Sequence, residues 1–338
     1  MLTEGSAKHS QQTLTIRLGL LSLSHFLLRQ RIQRVQPTYL IFGGHVEVHK
    51  YRYLYFMVLF TVYILILCSN STIVYLIWKH RDLHEPMYIF IAALLLNSVL
   101  YSTNIYPKLL IDFLSEQQII SYQACLVQFY MFYALGGSEF LLLAAMSYDR
   151  YVSICKPLQY PTIMTKRTIS VFLALSWLVP ACEVGGTATL TANQKLCGFT
   201  LKVIFCNNSI YKLHCVPSRA IYIYGLFILL NVAYVPMIFI LFTYAKIFVI
   251  AYRSSKEVRT KAAETCLPHL LVLINFSLLC TYDVILMRLE SDIPKIAQLV
   301  MTLQLILYHP LFNPIIYGLK MKEISKHLKR LLHLDKKN

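Results

Sequence analysis

Charged residues are scarce in this sequence, and acidic residues are the scarcest. Only 14% of the 338 residues are Asp, Glu, Lys or Arg, and 16 acidic residues stand against 32 basic ones. A soluble globule of this size needs more charge than that to cover its surface. With 57% hydrophobic residues and a mean hydropathy of +0.55, the composition indicates a polytopic membrane protein.

The sequence also lacks the local motifs of enzyme and metal chemistry. It has no glycine-rich phosphate loop, no Cys-x-x-Cys pair and no run of histidines at metal-ligand spacing. We therefore expect no catalysis, no cofactor and no metal. The net charge of +16 does not point to nucleic acid, because the basic residues fall mostly between apolar runs and at both ends. Loops beside anionic lipid headgroups explain that distribution better.

What the sequence does have is a series of long apolar segments, each near the roughly 20 residues that a helix needs to cross a bilayer. They predict an all-α membrane fold, a seven-transmembrane helix bundle over residues 53–319. An N-terminal segment, 1–52, precedes it, and its first 34 residues are atypical. The tail, 320–338, has the spacing of an amphipathic helix on a membrane surface. The seven predicted spans are 53–77, 87–106, 125–154, 168–190, 220–245, 266–287 and 296–319.

The distribution of basic residues predicts the orientation of these spans. Lys and Arg are concentrated in 150–167, in 246–261, around Lys79 and Arg81, and in the tail. Cytoplasmic loops carry such an excess, so we expect a plasma-membrane protein with its tail inside the cell and its N-terminus outside. Four arginines of the N-terminal segment oppose this assignment: Arg17, Arg29, Arg31 and Arg34.

A charged pair, Asp149 and Arg150, ends the third apolar segment. Charge is costly inside hydrocarbon and much cheaper at its edge, so the pair marks a boundary between membrane and water. Taken alone, the pair is better explained as the solvated end of a helix.

Four of the nine cysteines lie at the start of one apolar segment and in one polar loop, namely Cys125, Cys197, Cys206 and Cys215. An even set on one side of a membrane predicts disulfides in an oxidising compartment. Spacing alone leaves three pairings open. The other five cysteines lie in or beside apolar runs, where a buried thiol is the usual interpretation.

Several motifs together resemble those of vertebrate odorant receptors, which are rhodopsin-like G-protein-coupled receptors. The third segment ends in Met-Ser-Tyr-Asp-Arg-Tyr-Val-Ser-Ile-Cys-Lys-Pro at 146–157, and the second opens with Leu-His-Glu-Pro-Met-Tyr at 83–88. Lys-Ala-Ala-Glu-Thr-Cys-Leu-Pro-His at 261–269 and Asn-Pro-Ile-Ile-Tyr at 313–317 resemble the sixth and seventh helices of that family. The resemblance covers about 39–329 and is strongest to the fish members.

The resemblance implies a receptor that binds a small odorant in the outer half of the bundle and activates a heterotrimeric G protein of the stimulatory olfactory type. Membrane lipid is the other expected partner. While the bundle is closed, Asp149 would hold Arg150, and opening would free Arg150 for the G protein. The residues expected in this switch are Asp149, Arg150, Tyr151, Tyr244, Asn313, Pro314 and Tyr317.

The same analogy, combined with helix positions, places the ligand between the third, fifth, sixth and seventh helices. The candidate lining residues are Tyr130, Tyr133, Ala134, Gly137, Asn231, Ser277, Cys280, Tyr282 and Gln304. These side chains favour small neutral or weakly polar ligands. For each of them, ordinary helix packing is an equally good interpretation.

The resemblance also implies the disulfides Cys125–Cys206 and Cys197–Cys215, and Asn207 matches a glycosylation sequence beside one of them. The family has an ion site formed by an Asp and a Glu. Glu139 is retained, whereas Ser98 stands where the Asp is expected. One carboxylate attracts a cation less strongly than two, so we expect weak modulation by sodium.

Two alternative functions remain open from the sequence. A rhodopsin-like receptor with a non-olfactory ligand would share nearly all of these motifs. A secondary transporter would instead need inverted repeats and a cluster of ion-binding residues at the midplane. The sequence contains no recognisable repeat, and Glu139 is its one clear midplane carboxylate.

Overall fold

A computed structural model describes residues 39–288 and 294–331. The atypical segment 1–34 and the end of the tail, 332–338, lie outside the described residues. Within the sixth helix, several side chains also lie outside the description, including those of Tyr282 and Asp283.

Eight long or amphipathic helices account for most of the described chain. In chain order they are α1 Val48–Lys79, α2 Pro86–Leu114, α3 Tyr122–Cys155, α4 Lys166–Ala192, α5 Arg219–Tyr252, α6 Lys256–Arg288, α7 Lys295–Lys320 and α8 Lys322–Leu331. Among the described residues, α1 to α5 and α7 are long and apolar enough to cross a membrane. The sixth of the seven spanning helices, α6, contains a shorter apolar stretch, His269–Leu278.

Several helices extend beyond the spans predicted from hydropathy. The first begins at Val48 rather than 53, inside the predicted N-terminal segment, and the second continues past Pro107 to Leu114 instead of ending at 106. The sixth begins at Lys256 rather than 266. Hydropathy detects only the part of a helix that lies in lipid, while backbone hydrogen bonding continues through polar turns in the headgroup region.

The centre of the bundle is α3, which packs against α2, α4, α5 and α6. Helices α1, α4 and α5 leave large apolar side chains exposed, for example Met57, Leu178 and Ile238. An apolar surface of that kind is stable when lipid covers it. The fold therefore has a protein-buried central helix and a lipid-facing outer ring.

Three short strands cover one end of the bundle: β1 Tyr39–Phe42, β2 Ile119–Ser121 and β3 Thr200–Leu201. Their order is β2-β1-β3, and β1 runs parallel to β3 with Phe42 opposite Leu201. Both disulfides lie at this end, which we call the disulfide end. The opposite end carries the charged pair of α3, and we call it the Arg150 end.

The fifth helix changes its helix type beside a proline. Residues Leu230–Tyr234 form a π-helical segment just before Pro236. Proline has no amide hydrogen to donate, and an inserted π turn is a common way for a helix to accommodate such a break. Helix α7 also contains two internal prolines, Pro310 and Pro314.

The amphipathic tail helix, α8, packs its apolar face against the bundle. Met321 and Ile324 are buried, and Gly318 at the end of α7 lies against Ile73 of α1. On its polar side, Lys326 pairs with Glu323 at 3.3 Å. Leu332, the last residue of the predicted apolar face, lies outside the described residues.

Candidate functional site

A cavity of about 700 Å³ opens between α3, α4, α5 and α6 at the disulfide end. One face of α3 supplies its longest wall, with residues spaced by three and four along the helix: Phe129, Phe132, Tyr133, Gly136, Gly137 and Phe140. The opposite wall comes from α5 and α6, including Gly225, Val232 and Phe276. The lining is mainly aromatic and aliphatic, which is typical of pockets for small organic molecules.

The loop between α4 and α5 forms a roof over this cavity. The Cys125–Cys206 disulfide ties it to the start of α3, and a second bridge joins Cys197 to Cys215 within the loop. These are the pairs that the family resemblance implied. The Cys206 backbone N–H also donates to Gln128 Oε1 at 2.9 Å. The roof is therefore held to α3 both covalently and by a hydrogen bond.

Tyr133 links the roof to the cavity wall. Its hydroxyl accepts a hydrogen bond from the Asn208 backbone N–H at 3.0 Å, and both residues line the cavity. The roof also carries Asn207, which is buried beside the disulfide and accepts from the Ser209 backbone N–H at 3.0 Å. Burial of Asn207 disfavours its glycosylation, because an attached glycan needs open space.

Two buried polar atoms in the cavity lining have no hydrogen-bond partner among the described residues. They are Nε2 of His214, in the roof, and Oγ1 of Thr187, on α4. Burial lowers the pKa of His214 below its usual value, so its imidazole is neutral at pH 7. An unsatisfied buried polar atom is costly, and a bound ligand or water would remove that cost.

Of the nine predicted ligand residues, three line the cavity: Tyr133, Gly137 and Cys280. The side chain of Tyr282 lies outside the described residues. The other five are not part of the lining: Tyr130, Ala134, Asn231, Ser277 and Gln304. For these five, a role in ligand binding stays a prediction.

The physical reason is the angular position of each residue on its helix. Tyr130 and Ala134 each lie one residue away from the cavity-lining face of α3, which is a rotation of about 100°. Both instead pack into the apolar cluster around the disulfide end. Asn231 points towards α4, where its amide lies within hydrogen-bonding reach of the Glu183 carboxyl.

Sequence reasoning missed most of the lining. A signal was available on α3, because Phe129, Phe132, Gly136 and Phe140 follow the spacing of a single helical face. No comparable signal existed for the roof. Tyr211, Lys212 and His214 reach the cavity through an irregular loop, whose path cannot be inferred from periodicity.

Below the cavity, a buried polar centre surrounds Glu139 on α3. The Asn313 amide donates to Glu139 Oε1 at 3.0 Å and to Ser98 Oγ at 3.1 Å. The Asn97 amide lies 3.4 Å from Glu139 Oε2. Glu139 is completely excluded from solvent, so its carboxylate depends on these contacts for stabilisation.

His309 is the residue that sequence reasoning missed in this polar centre. Its Nε2 contacts Glu139 Oε1, and no other basic side chain contacts Glu139 in the described part of the chain. His309 lies one helical turn before Asn313, so both face α3. A titratable residue inside an apolar span was the available signal.

At the Arg150 end, the expected lock between Asp149 and Arg150 stays a prediction. Asp149 Oδ1 accepts a hydrogen bond from the Tyr160 hydroxyl at 2.8 Å, and no ion pair joins Asp149 to Arg150 in the described residues. Successive side chains on a helix diverge by about 100°. Asp149 therefore faces the short helix Tyr160–Ile163, while Arg150 projects in a different direction and interacts with Asp149 only electrostatically.

Arg150 faces a group of buried polar side chains with few partners. Its Nε, both ring nitrogens of His269, and the hydroxyls of Tyr244 and Tyr317 are buried without hydrogen-bond partners among the described residues. Arg150 interacts electrostatically with His269 and with Tyr244, and the His269 and Tyr317 rings are 5.5 Å apart. Of the other switch residues, Pro314 is buried and Tyr151 is half-buried beside the same core.

The structure is a seven-helix membrane bundle with a roofed cavity at one end and a buried polar group beside Arg150 at the other. This arrangement defines a receptor of the G-protein-coupled class. The olfactory receptor family model matches residues 59–336. Human olfactory receptor 11A1 is 32% identical over 301 residues, which cover 87% of this chain and 94% of that protein. The chicken olfactory receptor-like protein COR2 is 34% identical over 317 residues, covering 87% and 95%.

The chain therefore belongs to the olfactory receptor family, and it is an odorant-sensing G-protein-coupled receptor. Odorant ligands, G-protein coupling and a multi-pass position in the membrane follow from the family in general. Members of this family are not enzymes. The family match decides against the transporter alternative, whereas the stronger likeness to fish members stays a prediction.

Proposed function

We propose that odorants bind in the roofed cavity at the disulfide end, that this end faces outside the cell, and that the chain performs no catalysis of its own. The Arg150 end then faces the cytoplasm and activates the stimulatory olfactory G protein. The observation that carries the ligand site is the largely apolar cavity with two unpartnered polar atoms in its lining, His214 Nε2 and Thr187 Oγ1.

The orientation is supported by charge and by redox chemistry. The loops at the Arg150 end are rich in Lys and Arg, as cytoplasmic loops are. Both disulfides lie at the opposite end, where an oxidising exterior would preserve them. An epitope tag at the N-terminus should therefore be stained on intact cells, and a tag at the C-terminus only after permeabilisation. The reverse pattern would overturn the orientation.

The lining also supports a ligand class. The aromatic and aliphatic walls suit a hydrocarbon body, and the neutral His214 imidazole suits one hydrogen-bonding group such as a carbonyl or hydroxyl oxygen. Lys212 is exposed at the roof, so it adds little to binding of a neutral ligand. We therefore propose small, mainly apolar odorants with a single oxygen function.

A size-selective substitution tests the cavity. Gly225 lines it, and a Cβ atom added there would meet no other part of the protein within 4 Å. In a cyclic-AMP assay with a homologous series of odorants, Gly225→Leu should abolish responses to the longest active members while preserving those to the shortest. Ala220→Leu adds a similar side chain to the exposed surface of the same helix and should leave the series unchanged.

Equal effects of the two substitutions, at matched surface delivery, would contradict the proposed site.

His214→Ala should weaken the potency of oxygenated odorants by about tenfold, as expected for the loss of one hydrogen bond worth roughly 1 to 1.5 kcal/mol. The potency of ligands without an oxygen should change little. A ligand panel without any response, despite surface delivery and an available olfactory G protein, would contradict the signalling proposal itself.

A further inference from the structure

Three potential metal ligands meet at the Arg150 end. They belong neither to the cavity lining nor to the polar group around Arg150. His80 follows the last residue of α1, and Asp82 lies in the short 3-10 helix Arg81–Leu83 that leads into α2. His327 lies on α8, more than 240 residues further along the chain. Nothing in the local sequence announces this group, because its members come from two separate segments.

The three side chains are already close together. His327 Nε2 lies 2.7 Å from Asp82 Oδ2, and the His80 and His327 rings stack with centroids 3.9 Å apart. One ligand atom from each residue can be chosen so that all three lie within 4.8 Å of one another. Tetrahedral Zn²⁺ with bonds of about 2.0 to 2.2 Å places its ligand atoms roughly 3.5 Å apart. Small side-chain rotations would therefore bring the group to coordination distance.

The backbone that carries these residues is well held. The His80 N–H donates to the Leu76 carbonyl at 3.1 Å, and the Leu83 N–H donates to the His80 carbonyl at 3.0 Å. Leu83 is fully buried and anchors the turn. On the other side, burial of Ile324 fixes the face of α8 from which His327 projects. Such preorganisation lowers the entropic cost of binding a metal.

The group is buried at His327 and open to solvent at Asp82. His327 is 7% exposed, whereas the Asp82 side chain is 53% exposed. A cation could enter from the Asp82 side and keep a water molecule there. Two imidazoles with one carboxylate form a donor set that suits Zn²⁺, with a fourth position left for water.

We propose that His80, Asp82 and His327 bind one Zn²⁺ ion, which joins α8 to the connection between α1 and α2. The alternative is that His327 and Asp82 form only the hydrogen bond described above. A bound metal would fix the position of α8 beside the membrane without taking part in ligand binding. The metal site does not depend on the proposed odorant site, so either can fail alone.

Cobalt binding to the full-length receptor in lipid nanodiscs tests the site, because tetrahedral Co²⁺ has strong visible absorption bands. We expect one Co²⁺ per receptor with these bands, and displacement by Zn²⁺. His327→Ala and His80→Ala, which change different segments, should each weaken binding about tenfold or more, since even second-shell changes cost that much. His84→Ala is the matched control, because His84 instead contacts the Trp78 carbonyl at 3.2 Å.

Thermal unfolding of His327→Ala and His80→Ala, compared with that of His84→Ala, shows whether a loss of Co²⁺ binding comes from misfolding. Zn²⁺ should in addition slow hydrogen exchange in α8 of the unchanged receptor and not in His327→Ala. Equal Co²⁺ affinity in the unchanged receptor and in both ligand variants would overturn the site. Tight binding without added protection of α8 would overturn the proposed connection between the two segments.

Discussion

The disulfide end and the Arg150 end of the bundle differ in how they are cross-linked. At the disulfide end, two disulfides, three paired strands and hydrogen bonds to Gln128 and Tyr133 hold the roof to the bundle. At the Arg150 end, the described residues form no disulfide, and Arg150 Nε and the Tyr244 and Tyr317 hydroxyls are buried without hydrogen-bond partners among those residues.

This difference fits the two tasks of a receptor. A ligand cavity gains affinity when its walls are preorganised, because less entropy is lost on binding. A switch needs two arrangements of similar free energy, and buried polar atoms without partners keep the closed arrangement from being too stable. Covalent cross-links are therefore concentrated at the disulfide end, whereas the unpartnered polar atoms at the Arg150 end lie between helices that no disulfide joins in the described part of the chain.

The largest expected effect is the loss of the arginine at the switch. Arg150→Ala should abolish G-protein activation, because it removes the half-buried cationic group that faces His269 and Tyr244. Odorant binding, measured as thermal stabilisation of the purified receptor, should persist. Arg167→Ala removes an exposed charge at the start of α4 and serves as the control. Unchanged signalling by Arg150→Ala would contradict the proposal that the Arg150 end is the switch for G-protein activation.

The next largest effect concerns the two disulfides. The Cys125–Cys206 bridge closes a sequence separation of 81 residues and the Cys197–Cys215 bridge one of 18. Chain-entropy arguments give about 4.5 kcal/mol for the first and about 3 kcal/mol for the second. Cys125→Ser should therefore lower thermal stability and surface delivery more than Cys197→Ser.

Cys182→Ser changes an exposed, unpaired cysteine on α4 and should leave both measurements unchanged. A larger effect of Cys197→Ser than of Cys125→Ser would contradict the idea that the roof depends mainly on its covalent tie to α3.

A smaller effect on stability is expected from alanine substitutions at the two adjacent glycines of α3, which lie between the two ends of the bundle. A Cβ at Gly137 would lie 2.3 Å from Val232 Cγ1 and 2.9 Å from Pro180 Cβ, so the residue is a close crossing point of three helices as well as part of the cavity. Gly137→Ala should destabilise the receptor by about 1 to 3 kcal/mol through overpacking.

At Gly136, the nearest atom to an added Cβ is Phe276 Cζ at 4.0 Å. Gly136→Ala should therefore preserve thermal stability and alter only the response to odorants that fill the cavity. Adding Val232→Ala to Gly137→Ala should recover part of the lost stability. Equal stability of the two single variants would show that the crossing is looser than the distances indicate.

Hydropathy and motif spacing were sufficient to predict the seven spans and the short helix after them, because lipid burial leaves a long apolar signature. They could not predict where helices end in polar sequence. Helix α2 continues past Pro107 to Leu114, and the Lys108–Asp112 pair, four residues apart, stabilises its last turns. Hydropathy averaged over twenty residues does not detect a local stabilising pair of this kind.

The ligand site was harder to predict because α3 is buried on most sides. When nearly every position of a helix is apolar and packed, its cavity face must be identified from aromatic spacing rather than from polarity. The predicted set mixed the Tyr133 face with the adjacent Tyr130 face. His214 lies far from α3 in sequence, and only the folded roof brings it to the cavity.

The smallest expected effect concerns sodium, and it tests the polar centre that separates the two ends. The sequence predicted weak modulation because Ser98 replaces a carboxylate, and the contact between His309 and Glu139 supplies a stronger physical reason. An imidazole that can carry a positive charge already stands beside the carboxylate, so Na⁺ gains little by entering. Replacing NaCl with choline chloride should shift odorant potency by well under tenfold, which corresponds to about 1.4 kcal/mol.

His309→Ala should increase the sodium effect, because Glu139 then keeps its Asn313 contact but has no basic partner among the described residues. Glu139→Gln should abolish sodium sensitivity in either background. A strong sodium effect in the unchanged receptor that disappears in Glu139→Gln would mean that the ion, rather than His309, neutralises the buried carboxylate. The polar centre would then be an ion site coupled to both ends, instead of a fixed internal pair that lies between them.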